Sequence, residues 1–406
     1  MKKMFLSAVA FAVVAVSAIA VAPTTSEAVP AFARQTGASC LSCHFQAIPR
    51  LSAFGRNFSL TGMRDMGEGS LLEDDVLSLP TQFNAGFLMK VLVRNATGLI
   101  GTESNTGIMF PDESALFVGG RYGEHVGGLT EISTNNGGGV AQAKLNYVVD
   151  TDFGHVNLAM VSGDVGLGVL FSDPSNTVRH TNRSSIKRAE ALQNTAMMNS
   201  GVTGFALSTL VNDSIYLQGA LFASASPGEI TGEWGSLSGL STYLRGAYIA
   251  EVGGLEAIIG AFYVNAKPSA FTGATVTTVA AQTTGLLESA VQYGLDLQVQ
   301  GDVGDLSIGF YLPWVIKGEQ VGNTGTDITG GQAMLTIGMG HAGVKLGYDF
   351  SSSETGTVST DTNATYLGAW YSVAQNVELE LAYVSTKVDG VANTSNVTTL
   401  VIEYVY

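Results

Sequence analysis

The sequence predicts an all-β fold: a transmembrane antiparallel β-barrel of about 16 strands, entered from a short helical segment at the N-terminus. Three observations carry this. Mean hydropathy is positive at +0.25, and only 13% of the 406 residues are charged, about half the share usual in soluble domains. Yet after residue 23 no apolar run reaches the roughly 18 residues that a spanning helix needs, and 50 glycines argue against a helical protein. The rest of the chain alternates apolar and polar residues in segments of about ten, joined by connections that are short and long in turn. The net charge of −15 argues against nucleic acid as a partner, because a polyanionic backbone demands Lys- and Arg-rich surfaces.

Residues 1–28 read as a secretory signal peptide. Lys2 and Lys3 precede an apolar stretch from Met4 to Ala22, and a small-residue site at Ser26-Glu27-Ala28 leads into Val29-Pro30. The chain is therefore expected to work outside the cytoplasm, where thiols oxidise unless they are used.

Residues 29–79 form the second unit, and it contains both cysteines of the chain, in Cys40-Leu41-Ser42-Cys43-His44. Cys-x-x-Cys-His is the attachment motif for c-type haem. Thiols three positions apart reach the two vinyl groups of one porphyrin, and the adjacent imidazole then lies under the iron as proximal ligand. The competing reading is an exported disulfide, but a thioredoxin-like motif needs a βαβ context that this sequence lacks. One covalent haem c is thus expected, bound by Cys40, Cys43 and His44. Pro49 suits the first turn of a helix over about 50–60, with Leu51, Phe54 and Phe58 on one apolar face laid along the porphyrin. Gly62 stands where a C-terminal glycine belongs. Arg34, Arg50 and Arg56 are candidates to pair with the propionates. For the distal position Met63 is preferred, with Met66 close by; an open site or a ligand from elsewhere are the alternatives.

Residues 80–406 form the barrel. In 291–299, Val291, Tyr293, Leu295, Leu297 and Val299 share one face, opposite Gln292, Asp296 and Gln298. In 377–383, Val377, Leu379, Leu381 and Tyr383 oppose Glu378 and Glu380. A soluble β-sandwich shows the same alternation, so the connections decide. Strands are expected near 80–92, 107–121, 125–134, 139–149, 153–163, 201–211, 213–223 and 240–252, then near 254–266, 288–301, 304–316, 331–340, 343–351, 363–373, 377–387 and 396–406. Even-numbered connections then have one to three residues and odd-numbered ones 4 to 37, the asymmetry of outer-membrane barrels embedded in lipid. An even strand count places both termini on the periplasmic side and the long loops outside.

The longest connection, 164–200, carries Arg179, His180, Arg183, Lys187 and Arg188; it either folds into the lumen as a constriction or forms a solvated external loop. Other long loops are acidic, with Glu103, Asp112, Glu113, Glu229, Glu233, Glu319, Asp327, Glu354 and Asp361. Together these carboxylates either concentrate cations at the outer mouth or serve as a solubilising rim. No second metal-ligand spacing, phosphate loop, nucleophile elbow or zinc signature is present.

The run Pro30-Ala31-Phe32-Ala33-Arg34-Gln35-Thr36-Gly37, leading into Cys40–His44 and on to Pro49, Leu51, Phe54-Gly55-Arg56 and Phe58, resembles the fused monohaem cytochrome c–porin outer-membrane iron oxidases of iron-oxidising bacteria. The specific likeness covers about residues 30–62; beyond it only the architecture matches. The resemblance implies a one-haem plug in a barrel of about 16 strands, an iron(II) oxidoreductase that takes electrons from extracellular Fe(II). It also implies a periplasmic acceptor such as a soluble cytochrome or copper protein. Cys40, Cys43 and His44 carry over residue by residue. Arg34, Gln35 and Arg56 match without an assigned role, and Met63 stands where the family is often aromatic. Two other classes fit the same chassis: an outward-directed conduit to another metal or cytochrome, and a diffusion porin with a structural haem.

Overall fold

The computed structural model describes residues 30–67, 71–75, 78–98, 105–134, 139–163, 167–178, 202–224, 240–267, 290–319, 326–374 and 376–405. The signal peptide expected at 1–28 lies outside them, as do Arg179, His180, Arg183, Lys187, Arg188, Glu103, Glu229 and Glu233. No described helix is long and apolar enough to cross a membrane.

Three short helices open the chain: α1 (Pro30–Thr36), α2 (Cys40–Cys43) and α3 (Ala53–Leu60). A two-stranded hairpin follows, β1 (Leu71–Glu73) against β2 (Ser78–Pro80). The wall then begins with β3 (Ala85–Thr97), β4 (Asn105–Arg121), β5 (Val126–Ser133), β6 (Gly139–Thr151) and β7 (Gly154–Gly163). After a helical turn, α4 (Leu167–Leu170), come β8 (Val202–Val211), β9 (Ile215–Ser224), β10 (Ser241–Val252), β11 (Leu255–Ala266) and β12 (Ala290–Val303). The wall ends with β13 (Leu306–Glu319), β14 (Thr326–Met339), β15 (Ala342–Thr355), β16 (Val358–Ala374), β17 (Val377–Val388) and β18 (Ser395–Val405). Each wall strand pairs antiparallel with its neighbour in sequence, and β18 closes on β3 through pairs such as Tyr404↔Met89. All sixteen expected strands form one closed sheet, so no strand edge is left to seek a partner.

The two faces of the wall differ as the alternation requires. On β12 Tyr293 and Leu295 point outward and are exposed, while Gln292, Asp296 and Gln298 point into the lumen and are at most 3% exposed. On β8 Phe205 and Leu207 face outward and Ser208 inward. Outward apolar groups have lipid as their solvent, and the closed ladder pairs backbone polar groups from strand to strand.

Three boundaries depart from the expectation. The wall starts at Ala85 rather than 80, because 71–80 folds back as the β1–β2 hairpin. Strands β14, β15 and β16 reach further than apolar alternation marks them. Ser351–Thr355 pairs with Val358–Thr362, and above the membrane a ladder needs only its backbone hydrogen bonds, so Ser and Thr serve. That extension leaves two residues between β15 and β16, where a longer loop is expected from the sequence. Asp327, Glu354 and Asp361 therefore lie within these extended strands rather than in loops, Asp112 and Glu113 lie within β4, and Glu319 ends β13. The connections β4–β5, β6–β7, β8–β9, β10–β11, β12–β13, β14–β15 and β16–β17 have two to four residues. They share one end of the barrel with Ala85 and Val405, and the N-terminal segment sits inside that end.

Candidate functional site

Helix α2 is one turn long, so Cys40 and Cys43, three apart, lie on one face of it. Cys40 is buried, Cys43 half-buried, and neither is in a disulfide. Burial pushes the Cys43 thiol above its ordinary value, a setting that penalises a thiolate and suits a neutral thioether. Beyond His44 the chain reverses: the Phe45 N–H donates to the Arg50 carbonyl (3.0 Å) and the Ser52 N–H to the Cys43 carbonyl (3.0 Å). The same Arg50 carbonyl lies 3.1 Å from His44 Nδ1. A carbonyl oxygen only accepts, so the imidazole proton resides on Nδ1 and Nε2 carries the lone pair. That orientation and tautomer are what an axial imidazole needs.

Helix α3 starts later than expected, at Ala53, because Ser52 is the N-cap: its Oγ accepts from the Gly55 N–H (3.2 Å) and donates to the Ser42 carbonyl (2.5 Å). Pro49 therefore stands in the loop before the helix. Gly55 is where α3 lies on α2, and any Cβ there would overlap the Cys43 carbonyl. The helix stops at Gly62 (φ +76) and Met63 (φ +62), with the Met63 N–H donating to the Phe58 carbonyl (2.8 Å).

The expected apolar stripe divides. Phe58 is buried and meets Phe32 edge to face (centroids 5.2 Å apart), Leu51 precedes the helix, and Phe54 is 50% exposed. A half-exposed Phe54 on α3 and an exposed Leu41 on α2 supply apolar surface of the sort a porphyrin covers. The Met63 side chain is buried and Met66 half-buried. Two thiols on one helix face, a lone-pair Nε2 and uncovered apolar neighbours all fit a covalent haem c.

The segment is wedged across the lumen by polar contacts on all sides. Gln35, 2% exposed, is a hub: its Nε2 donates to the Met63 and Asp65 carbonyls (2.8 Å each), and its Oε1 accepts from Asn84 (2.8 Å) and from the Arg121 N–H (3.1 Å). Arg64 pairs with Asp150 and Arg56 grips the Glu256 carboxylate with both Nη atoms. Gln46 donates to the Ser307 carbonyl (2.6 Å), and the Arg50 guanidinium lies over Trp370, 5.3 Å from its centroid. These partners sit on β4, β6, β11, β13 and β16, around the whole circumference.

The described part of the long connection after β7, residues 167–178, folds into the lumen. Phe171 packs on Phe222 and stacks with Tyr243. Lys144 donates to Val169 and Ser172, and Arg245 joins Asp173 to Asp296, all three fully buried. Asn176 treats Leu51 as a strand would, accepting from its N–H (2.7 Å) and donating to its carbonyl (2.9 Å), while also bonding Gln298 and Gln300. The plug and this latch thus touch each other as well as the wall.

The sequence singled out Cys40, Cys43, His44 and Gln35, but not the tasks of Gln35, Asn176, Glu256 or Trp370. Arg56 and Glu256 are 200 residues apart, and Arg50 and Trp370 further still, and no local pattern encodes such pairs. Of the three propionate candidates, Arg56 is committed to Glu256, Arg34 is exposed and donates to the Ala85 carbonyl (3.1 Å), and Arg50 is buried. Among the described residues no cluster of three His, Cys, Asp or Glu forms a metal site.

No family model and no curated protein matches the chain. Solved structures do resemble it. A loop-deletion mutant of the outer membrane protein OmpT of Vibrio cholerae has TM-score 0.53 and 13% identity, over 80% of this chain and 99% of that one. OprB of Pseudomonas putida has TM-score 0.53 and 11% identity, over 80% and 94%. An anion-selective porin of Comamonas acidovorans has TM-score 0.51 and 12% identity, over 80% and 99%. At such identities the likeness is one of fold: a closed barrel of the outer-membrane porin kind.

Proposed function

We propose that this chain is an outer-membrane electron-transfer protein that oxidises extracellular Fe(II) one electron at a time and delivers each electron to a periplasmic carrier through a single haem c. The carrying observation is the Cys40–Cys43–His44 turn, with His44 Nδ1 held 3.1 Å from the Arg50 carbonyl, in a segment seated inside a porin-like lumen. When bound, the haem supplies a one-electron couple, so one Fe(II) becomes Fe(III) for each carrier reduced. Cys40 and Cys43 would tether it, His44 Nε2 would be its proximal ligand, and Phe54 and Leu41 would shield its face. Met63 stays the candidate for the distal position. The preference for iron rests on the family resemblance.

In this reading the short-turn end, which holds the plug and both wall termini, faces the periplasm, and the long connections face outward. The apolar band of such a barrel is about 25 Å tall, so a donor must reach partway in from the far mouth. The latch and the lumenal side chains limit water around the site, which favours a raised haem potential.

The fold neighbours favour a second reading, a diffusion porin with a structural haem. The polar seating of plug and latch argues for a lumen that conducts poorly. Proteoliposomes enclosing a soluble one-electron acceptor, with Fe(II) added outside, test the first reading. Transfer that His44→Ala abolishes supports it, whereas solute flux that His44→Ala leaves unchanged supports the porin.

A further inference from the structure

One buried guanidinium of the plug has two nitrogens without an acceptor among the described residues. Arg50 is 1% exposed. Its Nε donates to the Phe45 carbonyl (3.2 Å), but Nη1 and Nη2 have no hydrogen-bond partner among the described residues. Of the nearby carboxylates, Glu380 receives Lys345 (2.7 Å) and the Tyr366 hydroxyl (2.9 Å), Glu256 holds Arg56, and Glu378 makes no hydrogen bond to the Arg50 Nη atoms. Lys345 shares the Trp370 ring with Arg50, its Nζ 5.4 Å from the centroid, and so adds positive charge. Burying the terminal donors of a guanidinium unbonded is unfavourable, and its planar pair of donors matches a carboxylate.

We infer that Arg50 is a carboxylate receptor built into the plug and that its ligand is a propionate of the haem; this rests on the haem reading of Cys40, Cys43 and His44. A porphyrin carries its propionates on the edge opposite its vinyl groups, so a haem tethered at α2 turns its carboxylates away from the cysteines. Arg50 lies across the reversal from α2, with its side chain directed into the lumen beside Trp370. One residue then has two tasks: its carbonyl orients the axial imidazole, and its side chain neutralises the prosthetic group. Arg34 and Arg56, occupied elsewhere, are set aside.

The test uses the full chain purified in detergent with its covalent haem. Resonance Raman spectra of the wild type, Arg50→Lys and Arg50→Gln report the propionate bending mode. A shifted mode in Arg50→Gln, largely restored in Arg50→Lys, is expected. The second readout is the thermal midpoint of Arg50→Met in two backgrounds, the haem-bearing chain and the haemless Cys40→Ala/Cys43→Ala chain. The midpoint should fall in the first, where a paired carboxylate is stranded, and hold or rise in the second, where an unpaired charge is removed. An unmoved Raman mode, with equal midpoint changes in both backgrounds, overturns the assignment and leaves the haem reading intact. Inorganic phosphate that stabilises the haem-bearing wild type but not Arg50→Gln would place a free oxyanion at the site and also overturn it. A wild type without covalent haem overturns both readings at once.

Discussion

The wall and the plug are held by different physics. Each wall strand is fixed by backbone ladders on both sides and by an outward apolar face in lipid, so many residues share the load. The plug has 38 described residues, close to the length below which a chain rarely folds alone. It is fixed by a few polar anchors to strands far away in sequence: Gln35, Arg56, Arg64 and Asn57's helix by way of the Leu60 carbonyl, which accepts from Asn157 (3.4 Å). A periodic wall tolerates change at most single positions, whereas the plug depends on particular atoms. Substitutions should separate the two regions accordingly.

The largest effect is expected where the latch enters the wall. Arg245→Ala leaves Asp173 and Asp296 as facing buried carboxylates, and breaking a buried pair in this way costs about 3–5 kcal/mol. The expected result is a lower thermal midpoint in detergent together with new ion conductance in planar bilayers. If conductance stays at the wild-type level, the latch does not help to close the lumen.

Next comes the lipid face. Leu207→Arg places a charge at mid-strand on β8, with an expected cost of about 2–4 kcal/mol, whereas Leu207→Ile should fall within about 0.5 kcal/mol. Urea titration of vesicle-inserted protein measures both, and haem content per folded barrel should be the same in each. A selective loss of haem in either variant would contradict the separation of wall from plug.

Gly55→Val tests the plug alone. A Cβ at 55 meets the Cys43 carbonyl, so α3 cannot lie on α2. Haem loading, read by the pyridine haemochrome assay, should fall severalfold while the barrel keeps its heat-modifiable migration on gels. Undiminished loading would mean that this close approach is not needed for attachment. The smallest effect is expected for Asn176→Ala, which removes two bonds to Leu51 and one to Gln300. At about 1 kcal/mol per net hydrogen bond, it should loosen the plug without unfolding the wall, seen as faster amide exchange at 44–52 and unchanged exchange in β12.

The same contrast governs what the sequence discloses. Alternation at 291–299 and 377–383 places β12 and β17, because a wall residue's environment depends on its parity and its neighbours. All sixteen wall strands were legible for that reason; the errors fell at 80–84, ahead of the wall, and at 326–330 and 352–362, where Ser and Thr carry no apolar alternation. In the plug the Cys40-Leu41-Ser42-Cys43-His44 motif stands out in the sequence, since haem attachment demands fixed spacing. The way the plug is seated was not. Pairing Arg56 with Glu256, or Asn176 with Leu51, needs the barrel to close first, and Phe54 looks like Phe58 until the tertiary fold buries one and leaves the other exposed.

The most direct measurement is an anoxic optical spectrum of the detergent-purified protein, taken before and after Fe(II) is added. The account expects an oxidised c-type spectrum that becomes reduced rapidly on mixing, in the wild type and not in a Cys40→Ala/Cys43→Ala variant. A c-type spectrum that dithionite reduces and Fe(II) leaves oxidised, at acidic and at neutral pH, would contradict iron oxidation.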